Sequence, residues 1–122
     1  MAALYSDILL DHFRHPRNYG SLDAPDISNE QFNPLCGDRI RLELKLAQST
    51  VSEARFKGDA CAICTAAASL LTELVLGKDL EKLADLSDAQ LISALESDIQ
   101  PARLQCALLP LHALREGLKQ SA

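Results

Sequence analysis

An alternating stretch near the middle of the chain limits the possible fold most strongly. Residues 39–47 read RIRLELKLA, with apolar side chains on one face and charged side chains, Glu43 among them, on the other. This period of two is that of a β-strand with one face on a core. After a short polar turn, residues 51–57 alternate again (VSEARFK). The two segments are therefore predicted to pair as an antiparallel hairpin whose second face is solvated.

The hairpin leads into a cysteine at the predicted start of a helix. Gly58 and Asp59 interrupt the alternation, and residues 62–76 are rich in alanine, leucine and threonine. Cys61 is thus expected in the first turn of that helix, with Gly77 as its C-terminal cap. Unpaired backbone N–H groups and the helix dipole at such a position favour a thiolate, the form of cysteine that binds metal or attacks sulfur.

Another helix is predicted near the N-terminus. Apolar residues recur every three or four positions from Leu4 onward, which predicts a helix over residues 3–14 that Pro16 ends. Residues 17–37 are typical of a long polar loop, with at most a short edge strand near residues 28–32.

The C-terminal half is predicted to be helical in three segments. They cover residues 80–86 after an Asp79 cap, the stretch from a Ser87 and Gln90 capping box to about Leu95, and residues 104–118. Pro110 cannot donate a hydrogen bond to the carbonyl of Cys106, so the last helix is expected to kink or restart there. Cys106 would then lie at a helix discontinuity.

Charge and composition narrow the classes of partner. The formal net charge is -5, and the only local basic cluster is Arg14, His15 and Arg17, which argues against nucleic acid and anionic membranes as partners. The sequence contains no run of about 18 apolar residues and no basic leader segment, so a cytoplasmic location is expected. A length of 122 residues with 48% hydrophobic content suits a single domain over residues 1–122.

Four cysteines lie in three separated segments of the chain. They are Cys36 in NPLCGD, Cys61 and Cys64 in GDACAIC, and Cys106 in RLQC. Without a secretion signal, such cysteines are more often metal-binding or catalytic than disulfide-bonded. Together with Asp38, three thiolates could form a site for zinc or for the iron of an iron–sulfur cluster. Cys64 is the first candidate for an ordinary buried residue, because it lies on a neighbouring face of the helix from Cys61.

In order and spacing, four stretches resemble the IscU/SufU family (NifU N-terminal domains) of iron–sulfur cluster assembly proteins. They are LYSDILLDHFRHPRN, NPLCGD, FKGDACAIC with its alanine-rich helix, and RLQCALLPLHAL. The resemblance implies a SufE/NifU-like α+β fold, in which a small antiparallel sheet of two to three strands has helices packed on one face. It also implies a surface site made of Cys36, Asp38, Cys61 and Cys106. In the family, this site carries a nascent cluster or holds zinc while accepting sulfur from a cysteine desulfurase.

Within that family, several positions are closer to the SufU-type members. Gln105 stands where IscU-type members usually have histidine, and the stretch before it lacks the Leu-Pro-Pro-Val-Lys chaperone motif. Arg103 and the ALLP that follows Cys106 are SufU-like, although the insertion usual in SufU-type members is absent. Cys64 occupies a place where serine is common.

The leading hypothesis is a cluster scaffold, which is not itself an enzyme. Its cysteines would bind iron and sulfide, and the weaker ligand Asp38 would let the transient cluster pass to apo iron–sulfur proteins. The alternative is a zinc-bound sulfur acceptor for a cysteine desulfurase, a sulfurtransferase in which Cys106 leaves the metal and attacks a persulfide.

Two other hypotheses are weaker. A thiol–disulfide protein using Cys61 and Cys64 lacks the expected βαβ context and leaves Cys36 and Cys106 unexplained. A purely structural zinc module is disfavoured because a chain this apolar can build its own core.

Overall fold

The computed structural model describes residues 5–121 and has a three-stranded antiparallel sheet at its centre. The strands, in spatial as well as chain order, are Ile27–Asn33 (β1), Asp38–Ala47 (β2) and Thr50–Lys57 (β3). The helices are Asp7–Arg14 (α1), Ala62–Val75 (α2), Leu80–Ala84 (α3), Asp88–Ala94 (α4) and Leu104–Ser121 (α5). This arrangement confirms the predicted α+β class and the small antiparallel sheet.

The predicted hairpin is formed by β2 and β3. Leu42 lies opposite Phe56, and both side chains are buried, as the alternation predicted. On its other edge β2 pairs with β1, from Asn33 opposite Asp38 to Ile27 opposite Leu44. The short edge strand expected near residues 28–32 is therefore present and slightly longer, because β2 supplies a full set of hydrogen-bonding partners.

The charged face of the hairpin is not solvated throughout. Glu43 is buried, and its Oε1 accepts a hydrogen bond of 2.7 Å from the backbone N–H of Leu22. The loop before β1 runs over this part of the sheet. The expectation of a fully solvated face is therefore wrong at Glu43, where the loop supplies the hydrogen bond that a buried carboxylate requires.

Two long helices cover the apolar face of the sheet. α2 contacts β3 and β2, α5 contacts β1 and β2, and the two helices contact each other, while α1 packs on α2. The alanines of α2 at 66, 67 and 68 are fully buried, so this helix can lie close to the sheet. α5 approaches closely at Gly117, where an added Cβ would lie 2.7 Å from Ile27 Cγ2. None of the helices within residues 5–121 has the length and apolar character needed to cross a lipid bilayer.

Capping residues fix where α1 and α4 begin. Ser6 Oγ accepts a hydrogen bond from Leu9 N, so α1 begins at Asp7 and not at residue 3; residues 3 and 4 lie outside the described part. The predicted capping box of α4 is present, because the side chains of Ser87 and Gln90 each accept a hydrogen bond from the other residue's backbone.

The region between α2 and α3 follows the prediction less closely. Gly77 has the positive φ of +78° expected of a cap. Asp79 occupies the N-cap position of α3 but makes no capping hydrogen bond; its Oδ1 accepts from Thr50 Oγ1 at 2.9 Å. α3 ends at Ala84, two residues before the predicted end at Leu86.

α5 continues through Pro110, so the predicted restart is wrong. A proline removes one backbone hydrogen bond, here the one to the carbonyl of Cys106, while the other bonds of the helix remain. A short 3-10 turn, Pro101–Arg103, precedes the helix. Cys106 therefore lies in the first turn of α5 and not at a break within it.

Candidate metal and sulfur site

Three connections bring the predicted site residues to one end of the sheet. Cys36 lies in the turn between β1 and β2, where Gly37 has a φ of +77° and its N–H bonds to Asn33 O at 2.8 Å. Asp38 is the first residue of β2, Cys61 is the N-cap of α2, and Cys106 is in the first turn of α5.

The turn from β3 to α2 depends on Gly58. Its φ is +151°, and a Cβ at this position would lie only 1.9 Å from the carbonyl oxygen of Arg39. The next residue, Asp59, accepts a hydrogen bond of 2.9 Å through its carbonyl from Arg39 N. This close passage of the turn beside the start of β2 places Cys61 next to Asp38.

All four predicted ligands meet around the Asp38 carboxylate. Asp38 Oδ2 lies 3.1 Å from Cys36 Sγ and 3.5 Å from Cys61 Sγ, while Oδ1 accepts a hydrogen bond of 2.8 Å from Cys61 N. Cys36 Sγ is 3.3 Å from Cys106 Sγ. The ligand atoms of Cys36, Asp38 and Cys106 all lie within 4.8 Å of one another, and Cys61 borders this group through Asp38.

This donor set fits a tetrahedral metal ion. Sulfur ligands at about 2.3 Å from zinc lie about 3.8 Å from one another in a tetrahedron. Cys36 Sγ and Cys106 Sγ, now 3.3 Å apart, would have to separate by about 0.5 Å, and Cys61 Sγ, which lies outside the group of three, would have to move toward it. Three thiolates favour soft or borderline ions, so zinc and iron suit the site better than magnesium or calcium.

Burial and hydrogen bonding set the charge of Asp38. Its side chain is almost completely buried, and burial alone would raise the pKa of the carboxyl group. Hydrogen bonds from the Cys36 thiol, from the backbone of Cys61 and from Cys106 outweigh this effect, so the pKa of Asp38 is lowered. The carboxylate is therefore charged at neutral pH and available as a ligand.

Cys36 and Cys106 differ sharply in accessibility. Cys36 is exposed, whereas Cys106 is only 2% exposed. Burial raises the pKa of Cys106, and hydrogen bonds with Cys36 and Asp38 add to the rise. A metal that binds here must displace the proton of the Cys106 thiol.

Arg103 stands beside this buried thiol. A side-chain hydrogen bond with Cys106 and the charges of Cys61 and Cys106 raise the pKa of Arg103. The positive charge of Arg103 therefore favours a thiolate on Cys106.

Cys64 lies apart from the group. It is fully buried in the core, and burial raises the pKa of its thiol, followed by the charges of Asp38 and Cys61. Its backbone N–H donates to Cys61 Sγ at 3.5 Å. The side chain of Cys64 therefore behaves as an apolar core residue, while its backbone supports the neighbouring Cys61.

An apolar surface beside the thiols was not anticipated from the sequence. A shallow cavity of about 380 Å³ adjoins the site and is lined by Phe32, Leu35, Gln105, Leu109 and His112, among others. Leu35, immediately before Cys36, is 91% exposed. The sequence signal was Phe32 and Leu35, two large apolar residues that flank the Asn-Pro pair just before Cys36.

Comparison with known proteins places this geometry in context. The family model described as "NifU-like N terminal domain" matches residues 4–121. The zinc-dependent sulfurtransferase SufU of Bacillus subtilis is 37% identical, over 94% of this chain and 89% of its own. The iron–sulfur cluster assembly scaffold protein IscU of Azotobacter vinelandii is 34% identical, over 94% and 91%.

A solved structure has the same fold. A crystal structure from Fervidobacterium islandicum AW-1, described as an iron–sulfur cluster assembly scaffold for the SUF system (FiSufU), superposes with a TM-score of 0.83. The alignment covers 94% of this chain and 96% of that one at 21% identity, which supports the fold assignment.

Proposed function

The chain belongs to the family of NifU-like N-terminal domains, and from this membership we propose that it is a scaffold for assembling iron–sulfur clusters. The observation that carries the proposal is the convergence of Cys36, Asp38, Cys61 and Cys106 from separated segments. Iron and sulfide are the cargo of this site. A cysteine desulfurase would supply the sulfur, apo iron–sulfur proteins would receive the cluster, and the reducing cytoplasm would keep the thiols free.

The two oxygens of Asp38 have separate tasks in this scheme. Oδ1 is held by the Cys61 N–H, whereas Oδ2 points toward the thiols of Cys36 and Cys61. A carboxylate binds the iron of an iron–sulfur cluster less firmly than thiolates do. Oδ2 can therefore leave the metal while the three thiolates stay, which opens a position for sulfide or for an acceptor's ligand.

The second candidate is a zinc-bound sulfur acceptor. It is favoured by the 37% identity to a zinc-dependent sulfurtransferase and by Arg103 beside Cys106. Zinc held by the same four residues would keep the thiolates deprotonated until one is needed for sulfur transfer. The sequence analysis assigns the attack on the desulfurase persulfide to Cys106, whereas the exposure of Cys36 favours that thiol. Identifying the cysteine that carries the transferred sulfur decides between the two.

Native mass spectrometry separates the two functions. The protein is purified without oxygen and incubated with ferrous iron, cysteine and a cysteine desulfurase. A mass increase that matches iron plus sulfide supports the scaffold. Retained zinc with added sulfur and no iron selects the sulfur acceptor, and an unchanged mass contradicts both.

Single substitutions test the assigned ligands in the same experiment. Replacing Cys36, Cys61 or Cys106 with serine should abolish binding of the cargo. Cys64→Ala is the matched control, because it removes a cysteine from α2, the helix that begins after Cys61, without changing a proposed ligand. This variant should bind the cargo normally. Full binding by all three serine variants would refute the site assignment.

A further inference from the structure

Two thiols of the site lie almost close enough to bond. Cys36 Sγ and Cys106 Sγ are 3.3 Å apart although 70 positions separate the residues in sequence. A disulfide bond is about 2.05 Å long, so the sulfur atoms would have to approach by about 1.3 Å. Cys36 lies in an exposed turn whose neighbours Pro34 and Leu35 are also exposed, so the turn can make this movement while α5 stays in place.

We propose that Cys36 and Cys106 form a sulfur-accepting and resolving pair. The exposed Cys36 takes a sulfur atom as a persulfide, and Cys106 then attacks the Cys36 sulfur. The proposal rests on the proposed function, because it supposes that this site receives persulfide sulfur. It goes further by assigning a separate chemical role to the buried thiol.

The resolving step balances within the pair. The sulfur of Cys106 forms a bond to Cys36 Sγ, the bond between Cys36 Sγ and the outer sulfur breaks, and its electron pair leaves with hydrosulfide. The protein's two cysteines are oxidised to a disulfide, and the transferred sulfur is reduced to sulfide. A dithiol reductant must then reduce the disulfide and restore both thiols.

Groups around Cys106 assist the attack. A carboxylate oxygen of Asp38 lies within 4.8 Å of Cys106 Sγ and can take the thiol proton, directly or through a water molecule, as the new bond forms. The guanidinium of Arg103, three residues before Cys106, carries the positive charge that stabilises a developing negative charge on the sulfur. Because the proton leaves as the sulfur–sulfur bond forms, Cys106 does not have to be deprotonated before it attacks.

The other two cysteines are poorly placed to replace Cys106. Cys61 Sγ accepts the N–H of Cys64 at the N-terminus of α2 and lies against Asp38, outside the tight group that contains both other thiols. Cys64 is fully buried in the core. The geometry therefore singles out one resolving partner for Cys36.

A test with glutathione persulfide needs no desulfurase. The full chain is treated with chelator and reductant, desalted without oxygen, and mixed with glutathione persulfide. Released sulfide is quantified against a protein-free sample, and linked peptides are mapped by mass spectrometry. The wild type is expected to release about one sulfide per chain and to yield a Cys36–Cys106 disulfide, as the stoichiometry of the exchange requires.

Variants separate the assigned roles. Cys106→Ser, with Cys106→Ala as a second variant in case serine perturbs the buried position, should keep a stable persulfide on Cys36 and release only background sulfide. Cys64→Ala, which changes a core cysteine outside the site, should release sulfide as the wild type does. The zinc-loaded wild type should release no sulfide, because the metal holds the thiolates of Cys36 and Cys106. Circular dichroism checks that each variant is folded.

Three outcomes overturn the proposal. They are wild-type sulfide release from the Cys106 variants, a disulfide that involves Cys61 in the wild type, and transfer of the persulfide to Cys106 without release of sulfide. The proposed function fails separately. Absence of cluster or sulfur loading with a desulfurase would refute it even if the pair reacts as described. Normal loading by a protein that, when metal-free, forms no Cys36–Cys106 disulfide with glutathione persulfide refutes the pair alone.

Discussion

The carboxylate of Asp38 has a role both in the fold and in the candidate site. One oxygen of its carboxylate fixes the first turn of α2 through Cys61 N, and the other faces the thiols. Its lowered pKa keeps it charged at neutral pH despite burial. A substitution at this residue therefore changes the ligand set directly and removes one support of the helix that carries Cys61.

Asp38→Ala is expected to slow the release of a bound cluster. Without the carboxylate the exchangeable position is lost, and the cluster is held by thiolates alone. Transfer to an apo-ferredoxin, followed by circular dichroism, should slow about tenfold, which corresponds to a barrier about 1.4 kcal/mol higher.

The control for this variant is Asp59→Ala, which removes an exposed carboxylate two residues before Cys61. It should transfer the cluster at the wild-type rate. An unchanged rate in Asp38→Ala would refute the idea of an exchangeable carboxylate ligand.

At the scale of the elements, a buried histidine supplies a polar contact between α1 and α2. His12 Nδ1 lies 2.8 Å from Ser69 Oγ, and His12 Nε2 lies 3.4 Å from Glu73 Oε1. Burial, followed by the charge of Arg17, lowers the pKa of His12 below 6.5, and the Glu73 carboxylate offsets this only in part. The contact between the helices is therefore built around a neutral imidazole.

This histidine makes the contact sensitive to acid. As the pH falls from 6.5 toward the lower folded-state pKa, the unfolded chain takes up a proton at His12 that the folded chain does not. The free energy of unfolding should decrease over this window. In urea titrations between about pH 7 and pH 5, His12→Gln should show a flatter dependence than the wild type.

His15→Gln, at an exposed position next to the same helix, serves as the comparison. It should keep the wild-type slope. Equal slopes in the wild type and His12→Gln would contradict the assignment of the pH dependence to His12.

The turn between β3 and α2 tolerates only glycine at its first residue. Gly58→Ala combines an unfavourable φ with a backbone clash at Arg39 O, so the free energy of unfolding should fall by more than about 2 kcal/mol. Gly77→Ala also has a positive φ, of +78°, but open space around its Cβ, and it should cost only about 1 kcal/mol. Chemical denaturation compares the two, and equal losses would exclude the clash as the cause.

For the whole molecule, the parts of the fold that local chemistry determines could be predicted. The alternation of residues 39–47 identified β2, and Ser87 with Gln90 marked the start of α4. β1 reads ISNEQFN and carries little strand signal of its own, so its length depends on pairing with β2. The burial of Glu43 depends on a loop that crosses the sheet, which no pattern within β2 reveals.

The candidate site was predictable only in part, for the same reason. Turn and helix-start signals marked each cysteine segment, but Cys36 and Cys106 come together only after β2 and α5 have packed. Family resemblance, and not spacing, selected the four ligands from the available cysteines and carboxylates. The difference in exposure between Cys36 and Cys106 arises from packing and has no counterpart in the residues beside them.

A site assembled from separate segments also couples metal binding to global stability. At a free zinc concentration about 100 times the dissociation constant, the free energy of unfolding should rise by about 2.7 kcal/mol. Cys106→Ser should lose this increase. Because the core consists mainly of aliphatic side chains, with Cys106 the one proposed ligand among the buried members described, the metal-free chain should remain folded by circular dichroism. Unfolding on chelation would instead support a structural zinc module.

The hydrogen bond from Cys61 N to Asp38 Oδ1 has a spectroscopic consequence. The chemical shift of an amide proton depends on the charge and distance of its acceptor, so the Cys61 resonance should move whenever the carboxylate binds or releases a metal. Zinc has no colour and no unpaired electrons, which leaves its loading invisible to absorption and paramagnetic methods. One backbone signal in a nitrogen-15 correlation spectrum can therefore follow the occupancy of the site in solution.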